Sequence, residues 1–339
     1  MSVMGNMNDA SKRIKKKLGD EIGGQAVKFP EFDRLPFGIA SLDIALAGGV
    51  PCGCVSIVYG PPSGGKTSLS LRLAAQHQKR FPDDVVVWLD VENCWDSGWA
   101  KKHGVDVDSM FIYKPTTAEE AADVLKEVAF AEDAGLLVVD SIPALSSISQ
   151  VDKAGEAHVM AGSTREVSDV LRKIGAASAE HVKRGHRLTT VLINQIRYKI
   201  GFVMGNPEIL PGPDLQNYMA FLKLRVTAKP KLDKKVAAIP IYSENAATVT
   251  KKKFPVCAMT AEWNTILYPY EGWKPLDVNN RKIIEKTLAE IDALGKGGAG
   301  WLLWGEEFQT KTAALDSAMS DYDDTVRAIV DVMLNAQEE

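Results

Sequence analysis

The chain has 339 residues, 45% apolar and 25% charged, enough to bury a large core in about two domains, which excludes a disordered tail or a disulfide-stapled mini-protein. No run of about 18 apolar residues suits a membrane helix, and the basic N-terminus lacks the apolar stretch of a secretory signal, so a cytoplasmic protein is expected. The net charge of −4 is uneven: residues 305–339 carry nine acids and two bases, a net of −7, which leaves +3 for the rest. Nucleic-acid binding therefore stays open through a local basic patch, with the acidic end competing for it.

Residues 9–18 (DASKRIKKKL) read as a short basic helix capped by Asp9, with Ile14 and Leu18 as a narrow apolar stripe that needs a partner surface. From there short apolar runs alternate with helical patterns. Val55–Tyr59, Val85–Leu89, Leu136–Val139 and Thr190–Ile193 are nearly continuous aliphatic stretches, the pattern of strands buried on both faces of a parallel sheet. Thr117 and Glu120 form a capping box, followed at helical spacing by Ala121, Val124, Leu125 and Val128. Such alternation predicts a doubly wound α/β core. Between Ile196 and Asp214 several glycines and prolines predict a long mobile loop with no regular element. Phe221–Thr227 and Ala246–Thr250 resume as strands, and after Gly272 a small unit is expected to pack around Trp273, Trp301 and Trp304. The four cysteines, at 52, 54, 94 and 257, form no CxxC pair or metal spacing, so buried or inert thiols are expected.

Gly60-Pro61-Pro62-Ser63-Gly64-Gly65-Lys66-Thr67 matches the G-x-x-x-x-G-K-[ST] phosphate loop, directly after a predicted strand and opening a predicted helix. Its backbone N–H groups would wrap a β-phosphate at the positive end of that helix, Lys66 would neutralise the β- and γ-phosphates, and Thr67 would ligate Mg²⁺. ATP and Mg²⁺ are the expected ligands, and Ser68 adjoins the same loop. Asp140 ends an apolar strand and is the candidate second metal residue. A water-activating carboxylate is also required. Glu92 and Asp90 both emerge after Val85–Leu89, and position alone does not separate them.

These segments resemble the RecA-type DNA strand-exchange recombinases from the basic N-terminal helix to at least Gly272. The resemblance rests on Ser41-Leu42-Asp43-Ile44-Ala45-Leu46, Asp90-Val91-Glu92, Val138-Val139-Asp140-Ser141 and, most specifically, Asn194-Gln195-Ile196-Arg197-Tyr198-Lys199-Ile200-Gly201 followed by Gly205-Asn206-Pro207-Glu208. Departures such as Pro61-Pro62 look like a divergent or phage-encoded member. The fold implied is a P-loop ATPase core with a mostly parallel doubly wound sheet (36–272), an N-terminal polymerisation helix and linker (1–35) and a small C-terminal α/β lobe with an acidic tail (273–339).

By the same resemblance Glu92 is the general base, and Gln195 senses the γ-phosphate and signals to the loop beside it. Asp96 and Trp99 hold the adenine, an indole replacing the usual tyrosine. Lys251 and Lys253 reach the neighbouring subunit's ATP. DNA falls to two segments: about 150–160 with Arg165 and Arg172 on the following helix, and 196–214 with Arg197, Lys199, Ile200 and Gly212. A salt bridge on the helix surface is an equal reading of Arg172. Asn217 stands where a family-like lysine is expected, and Val159 or Met160 is a weak match for an inserted side chain. The implied activity is ATP-dependent pairing and exchange of single-stranded with double-stranded DNA in a homo-oligomeric filament, with a single-strand-binding protein and a loader as possible partners. A RecA-fold motor or helicase and a non-catalytic filament mediator are the alternatives.

Overall fold

The computed structural model describes residues 33–145, 159–198, 201, 207–232, 240–267, 274–298 and 300–336, with side chains of the long helix from Arg165 onward. The basic segment 9–18, the first DNA segment up to residue 158, Lys199, Ile200, Gly205, Asn206, Gly272 and Trp273 lie outside the described residues.

Eight strands form the large sheet: β1 (Val55–Gly60), β2 (Val85–Asp90), β3 (Met110–Tyr113), β4 (Ala134–Asp140), β5 (Thr189–Gln195), β6 (Leu222–Leu232), β7 (Pro240–Lys252) and β8 (Thr260–Ile266). Their order is β8-β7-β6-β1-β5-β4-β2-β3. Every pair from β6 to β3 is parallel, and β7 and β8 extend the other side as antiparallel strands. The four apolar runs read as parallel strands are therefore there, each one to three residues longer than its pattern. Their side chains alternate between two cores: Leu136 and Val138 pack on one face, Leu137 and Val139 on the other, all fully buried. Burial on both faces explains the unbroken apolar runs.

The helices are α1 (Ala40–Ala45), α2 (Lys66–Arg80), α3 (Ser97–Lys102), α4 (Ala118–Phe130), α5 (Val159–Lys183), α6 (Leu215–Met219), α7 (Asn280–Glu290), α8 (Lys311–Ser320) and α9 (Tyr322–Asn335). Thr117 caps α4 by accepting from the Glu120 amide at 3.0 Å. The reciprocal bond is displaced by one residue, since the Glu120 carboxylate accepts from the Thr116 amide at 2.7 Å.

Two expectations need correction. The segment between Ile196 and Asp214 contains a regular element, a two-stranded antiparallel pair of Arg197–Tyr198 with Glu208–Ile209. It is anchored because Glu208 accepts two hydrogen bonds from the Arg225 guanidinium on β6, a charge-assisted fork that holds the returning arm. The C-terminal lobe packs around Ile284, Leu288, Leu294, Leu303, Leu315, Ile329 and Val330, with Trp301 against the edge of that cluster and Trp304 outside it. Trp304 is exposed, and Trp301 is half-buried under the Lys311 ammonium. Aliphatic side chains fill the space between the helices and a three-stranded sheet (Leu294–Lys296, Trp301–Leu303, Glu306–Phe308). Cys52 and Cys54 are buried as expected, and the exposed Cys94 fits the inert alternative, since desolvation and the nearby Asp140, Asp90 and Glu92 push its thiol up to about 11.

The lobe and the core share a polar seam. Asp43 on α1 is fully buried and accepts from the Phe37 and Ile39 amides at 2.6 and 2.9 Å and from the Tyr322 hydroxyl of α9 at 2.8 Å. Burial, only partly offset by these bonds, pushes its carboxyl up to about 7.

Candidate active site and nucleic-acid interface

The carboxyl ends of β1, β5, β4 and β2 lie side by side, and the chemistry-bearing residues gather there. The phosphate loop leaves β1 at Gly60, where a Cβ would stand 2.1 Å from the Val226 carbonyl oxygen, so only glycine lets the loop hug β6. Gly65 enters α2 with φ +84°, a conformation open to glycine without strain. Pro62 and Ser63 are exposed at the tip of the loop. The N-terminal turn of α2 follows with Lys66, Thr67 and Ser68. The first amides of that turn have no side-chain cap, which leaves the helix dipole available to an anion.

Lys66 folds back to donate to the Pro61 carbonyl at 2.8 Å. Burial lowers its pKa against the opposing pull of Asp140 and Glu92. Thr67 donates its hydroxyl to Asp140 at 2.9 Å, and burial, with Glu92 and Asp90 nearby, pushes the Asp140 carboxyl up to about 6 despite that bond and Lys66. A hydroxyl beside a carboxylate is a donor set that suits Mg²⁺. Among the described residues no cluster of three or more His, Cys, Asp and Glu forms a separate metal centre.

Asp90 and Glu92, inseparable by position, differ in their surroundings. Asp90 is buried, and its oxygens accept from the Cys94 and Trp95 amides at 3.1 and 2.9 Å, with the Lys114 ammonium 3.5 Å away. It is spent on holding the turn after β2. Glu92 is exposed at the sheet edge, its amide bonded to the Asp140 carbonyl and its carboxylate accepting from the Ser141 hydroxyl. Ser141 was not a candidate from the sequence, although it follows Asp140 directly.

Asp96 caps α3 by accepting from the Trp99 amide at 2.9 Å, which leaves its second oxygen uncommitted in that bond. The Trp99 indole is exposed and braced edge-on by the His103 ring at 4.9 Å. Burial lowers the His103 pKa to about 4, so the bracing ring is neutral near pH 7.

Gln195 ends β5 directly opposite Gly60 in the parallel register, and the Ile196 amide bonds to the Gly60 carbonyl. The preceding Asn194 is fully buried. Its amide nitrogen donates to the Pro211 carbonyl at 2.8 Å and to Gln216 Oε1 at 2.7 Å, and its own oxygen accepts from the Gln195 amide. Gln216 carried no signal in the sequence.

Lys251 and Lys253 do not meet the phosphate loop of their own chain. Their ammonium groups donate to the Asn217 and Tyr218 carbonyls at the C-terminal end of α6, and Lys253 also lies over the Phe221 ring. A third cation, Lys223, joins them by donating to Asn217 Oδ1 at 2.7 Å.

Of the DNA candidates, Arg165 and Arg197 are exposed, and Arg172 is paired with Asp169 on the surface of α5. Gly212 has φ +101°, and a Cβ there would press on Gln216 and Ile142 at 2.9 Å. No helix among the described residues is long and apolar enough to cross a membrane.

Comparison with known proteins agrees with this geometry. The family model of the RecA N-terminal domain matches residues 6–271. The chain is 33% identical over 255 residues to Protein RecA of Thermus aquaticus, covering 74% of this chain and 70% of that protein. It is 31% identical over 309 residues to Protein RecA of Methylococcus capsulatus, covering 88% and 86%. The match to Protein RecA of Geobacter metallireducens is 33% over 279 residues, 79% of each.

Proposed function

The chain belongs to the RecA family of DNA-dependent ATPases that carry out ATP-dependent recombination and strand exchange, and from that footing we propose how its own residues divide the work. Lys66 leaves the Pro61 carbonyl to lie against the β- and γ-phosphates. Thr67 and Asp140 hold Mg²⁺, which supplies charge neutralisation at the transferring phosphoryl group when bound. Glu92, with one oxygen fixed by Ser141, takes a proton from the attacking water with the other. Asp90 does not compete, because its oxygens already accept two amides. Trp99 stacks on the adenine. Lys251 and Lys253 exchange the carbonyls of α6 for the ATP of a neighbouring copy.

The observation that supports this reading most is the register pair of Gly60 and Gln195. It sets the amide that would sense the γ-phosphate next to the first residue of the phosphate loop and one residue before the segment carrying Arg197, Lys199 and Ile200. Arg165, Arg172, Arg197 and Lys199 grip the DNA backbone, giving affinity without sequence preference, and Ile200 wedges between bases. The domain limits 1–35, 36–272 and 273–339, a cytoplasmic location, and assistance from a single-strand-binding protein and a loader belong to the same proposal.

Assembly has a surface to use. β3 is an edge strand of the sheet, and Phe111, Tyr113 and Phe130 beside it are 56%, 41% and 61% exposed. They border a cleft of about 710 Å³ that Glu120, Asp123, Glu127 and Asp133 also line. That acidic, apolar cleft complements the basic residues of segment 9–18 of another copy.

The decisive experiment is strand exchange between circular single-stranded and linear duplex DNA, with and without ATP. Joint molecules that require ATP are expected. Closed hexamers that unwind duplex without forming joint molecules would instead identify a motor.

A further inference from the structure

The amides of Asn194 and Gln216 form a closed polar joint inside an apolar pocket. Both residues are fully buried, and Ile142, Leu145, Ile196 and Ala220 of the surrounding core cluster are buried with them. Asn194 donates to Gln216 Oε1 and to the Pro211 carbonyl, and Gln216 donates to that same carbonyl at 2.8 Å. The remaining acceptor, Asn194 Oδ1, takes the Gln195 amide at 2.7 Å. One joint thus ties together the end of β5, the returning arm of the DNA segment and helix α6.

A buried amide pair of this kind does not yield gradually. A polar group left unpaired away from water is costly, so the joint is either made or replaced by another complete arrangement. The N–H that Asn194 accepts is the main-chain one of Gln195, so a pull on the Gln195 side chain toward a γ-phosphate reaches Asn194 through the backbone at the end of β5. The carboxamide of Asn194 then turns, and both of its other bonds turn with it. One of those bonds ends at Pro211, beyond the far arm of the segment. Phosphate occupancy can therefore reset both ends of residues 196–210, not only the end next to Gln195.

We propose that Gln216 is a positioning residue for the second DNA segment: it fixes the base of that segment through Asn194 and Pro211, and DNA affinity follows the nucleotide only while this joint is intact. The inference rests on the reading of Gln195 as the γ-phosphate sensor.

The full-length chain tests it. Affinity for single-stranded oligonucleotide is measured by fluorescence anisotropy with a non-hydrolysable ATP analogue and with ADP, alongside DNA-free ATP turnover. For Gln216→Met, which keeps the volume and removes both bonds, the ratio of the two affinities is expected to fall at least tenfold, with KM for ATP and DNA-free turnover within about twofold. Gln216→Glu still accepts from Asn194 and no longer donates to Pro211, and its ratio is expected between those of Gln216→Met and the unmodified chain. It also serves if Gln216→Met fails to fold. A purely structural role would change melting temperature and leave the ratio untouched, and an unmodified ratio in the folded variants would overturn the proposal. A ratio near one in the unmodified chain would overturn the sensor reading itself, before any variant is compared.

Discussion

Thr67 and Asp140, 73 residues apart in the chain, meet hydroxyl to carboxylate at 2.9 Å between the start of α2 and the end of β4. If this pair holds Mg²⁺, its two members act as one unit. Asp140→Asn and Thr67→Ala are each expected to reduce ATP turnover by about 100-fold or more, and the double variant by little more than the worse single one. Turnover measured across a Mg²⁺ titration checks this, and losses that multiply would separate the two residues.

Lys66 is buried and its ammonium is disfavoured by that burial, so it does little for the fold. Lys66→Ala is expected to abolish ATP turnover and nucleotide-induced filament extension while leaving the melting temperature unchanged or slightly higher. Calorimetry beside a phosphate-release assay checks both halves. Unchanged turnover would refute the site.

Gln195→Ala removes the sensing amide but none of the phosphate ligands. ATP should still bind with a KM within a few-fold of the unmodified chain, while DNA affinity ceases to distinguish ATP from ADP. Nucleotide-dependent anisotropy of labelled single-stranded DNA reports this directly.

The Asp43–Tyr322 seam gives a pH signature. The folded carboxyl of Asp43 sits near 7 against 3.8 for a free aspartate side chain, so the fold binds this proton more tightly than the unfolded chain does, and the stability this group contributes falls as pH rises from about 4 to about 7. Tyr322 donates to the carboxylate, an interaction stronger when Asp43 is charged. Tyr322→Phe is therefore expected to cost on the order of 2 kcal/mol at pH 8 and roughly 1 at pH 5. Denaturant unfolding at the two pH values checks the difference, and a cost larger at pH 5 would invert the assignment.

At the edge strand, Phe111→Lys places a charge on the apolar side of the cleft. Self-assembly measured by sedimentation should weaken at least tenfold while the melting temperature of the subunit is unchanged, since Phe111 is 56% exposed. Assembly at the original strength would move the interface elsewhere.

Most of this architecture was legible because it depends on local patterns. The four apolar runs needed no partner to be read as buried strands, and the phosphate loop is a contiguous string whose every residue has a stated task. The separation of Asp90 from Glu92 was not legible, since both follow the same strand and only the backbone turn that consumes Asp90 distinguishes them. Ser141 and Gln216 were missed for a related reason: a serine after an aspartate or a glutamine in a five-residue helix acquires meaning only from a partner 49 or 22 residues away. The strand pair of Arg197–Tyr198 and Glu208–Ile209 was hidden by the glycines and prolines around it, because the Arg225 contact that steadies it lies outside the segment. The sequence did not separate Trp301, which packs against the lobe core, from Trp304, which is exposed.

The two margins of the large sheet are unlike. The outer side of β8 is bonded to residues 276–278, whereas among the described residues nothing pairs with the outer side of β3. A subunit built this way has polarity, so a row of them presents a different face at each extremity. Addition and loss of subunits should then proceed at unequal speeds at the two tips, and a polymer on DNA would advance in one direction even before its fuel is spent.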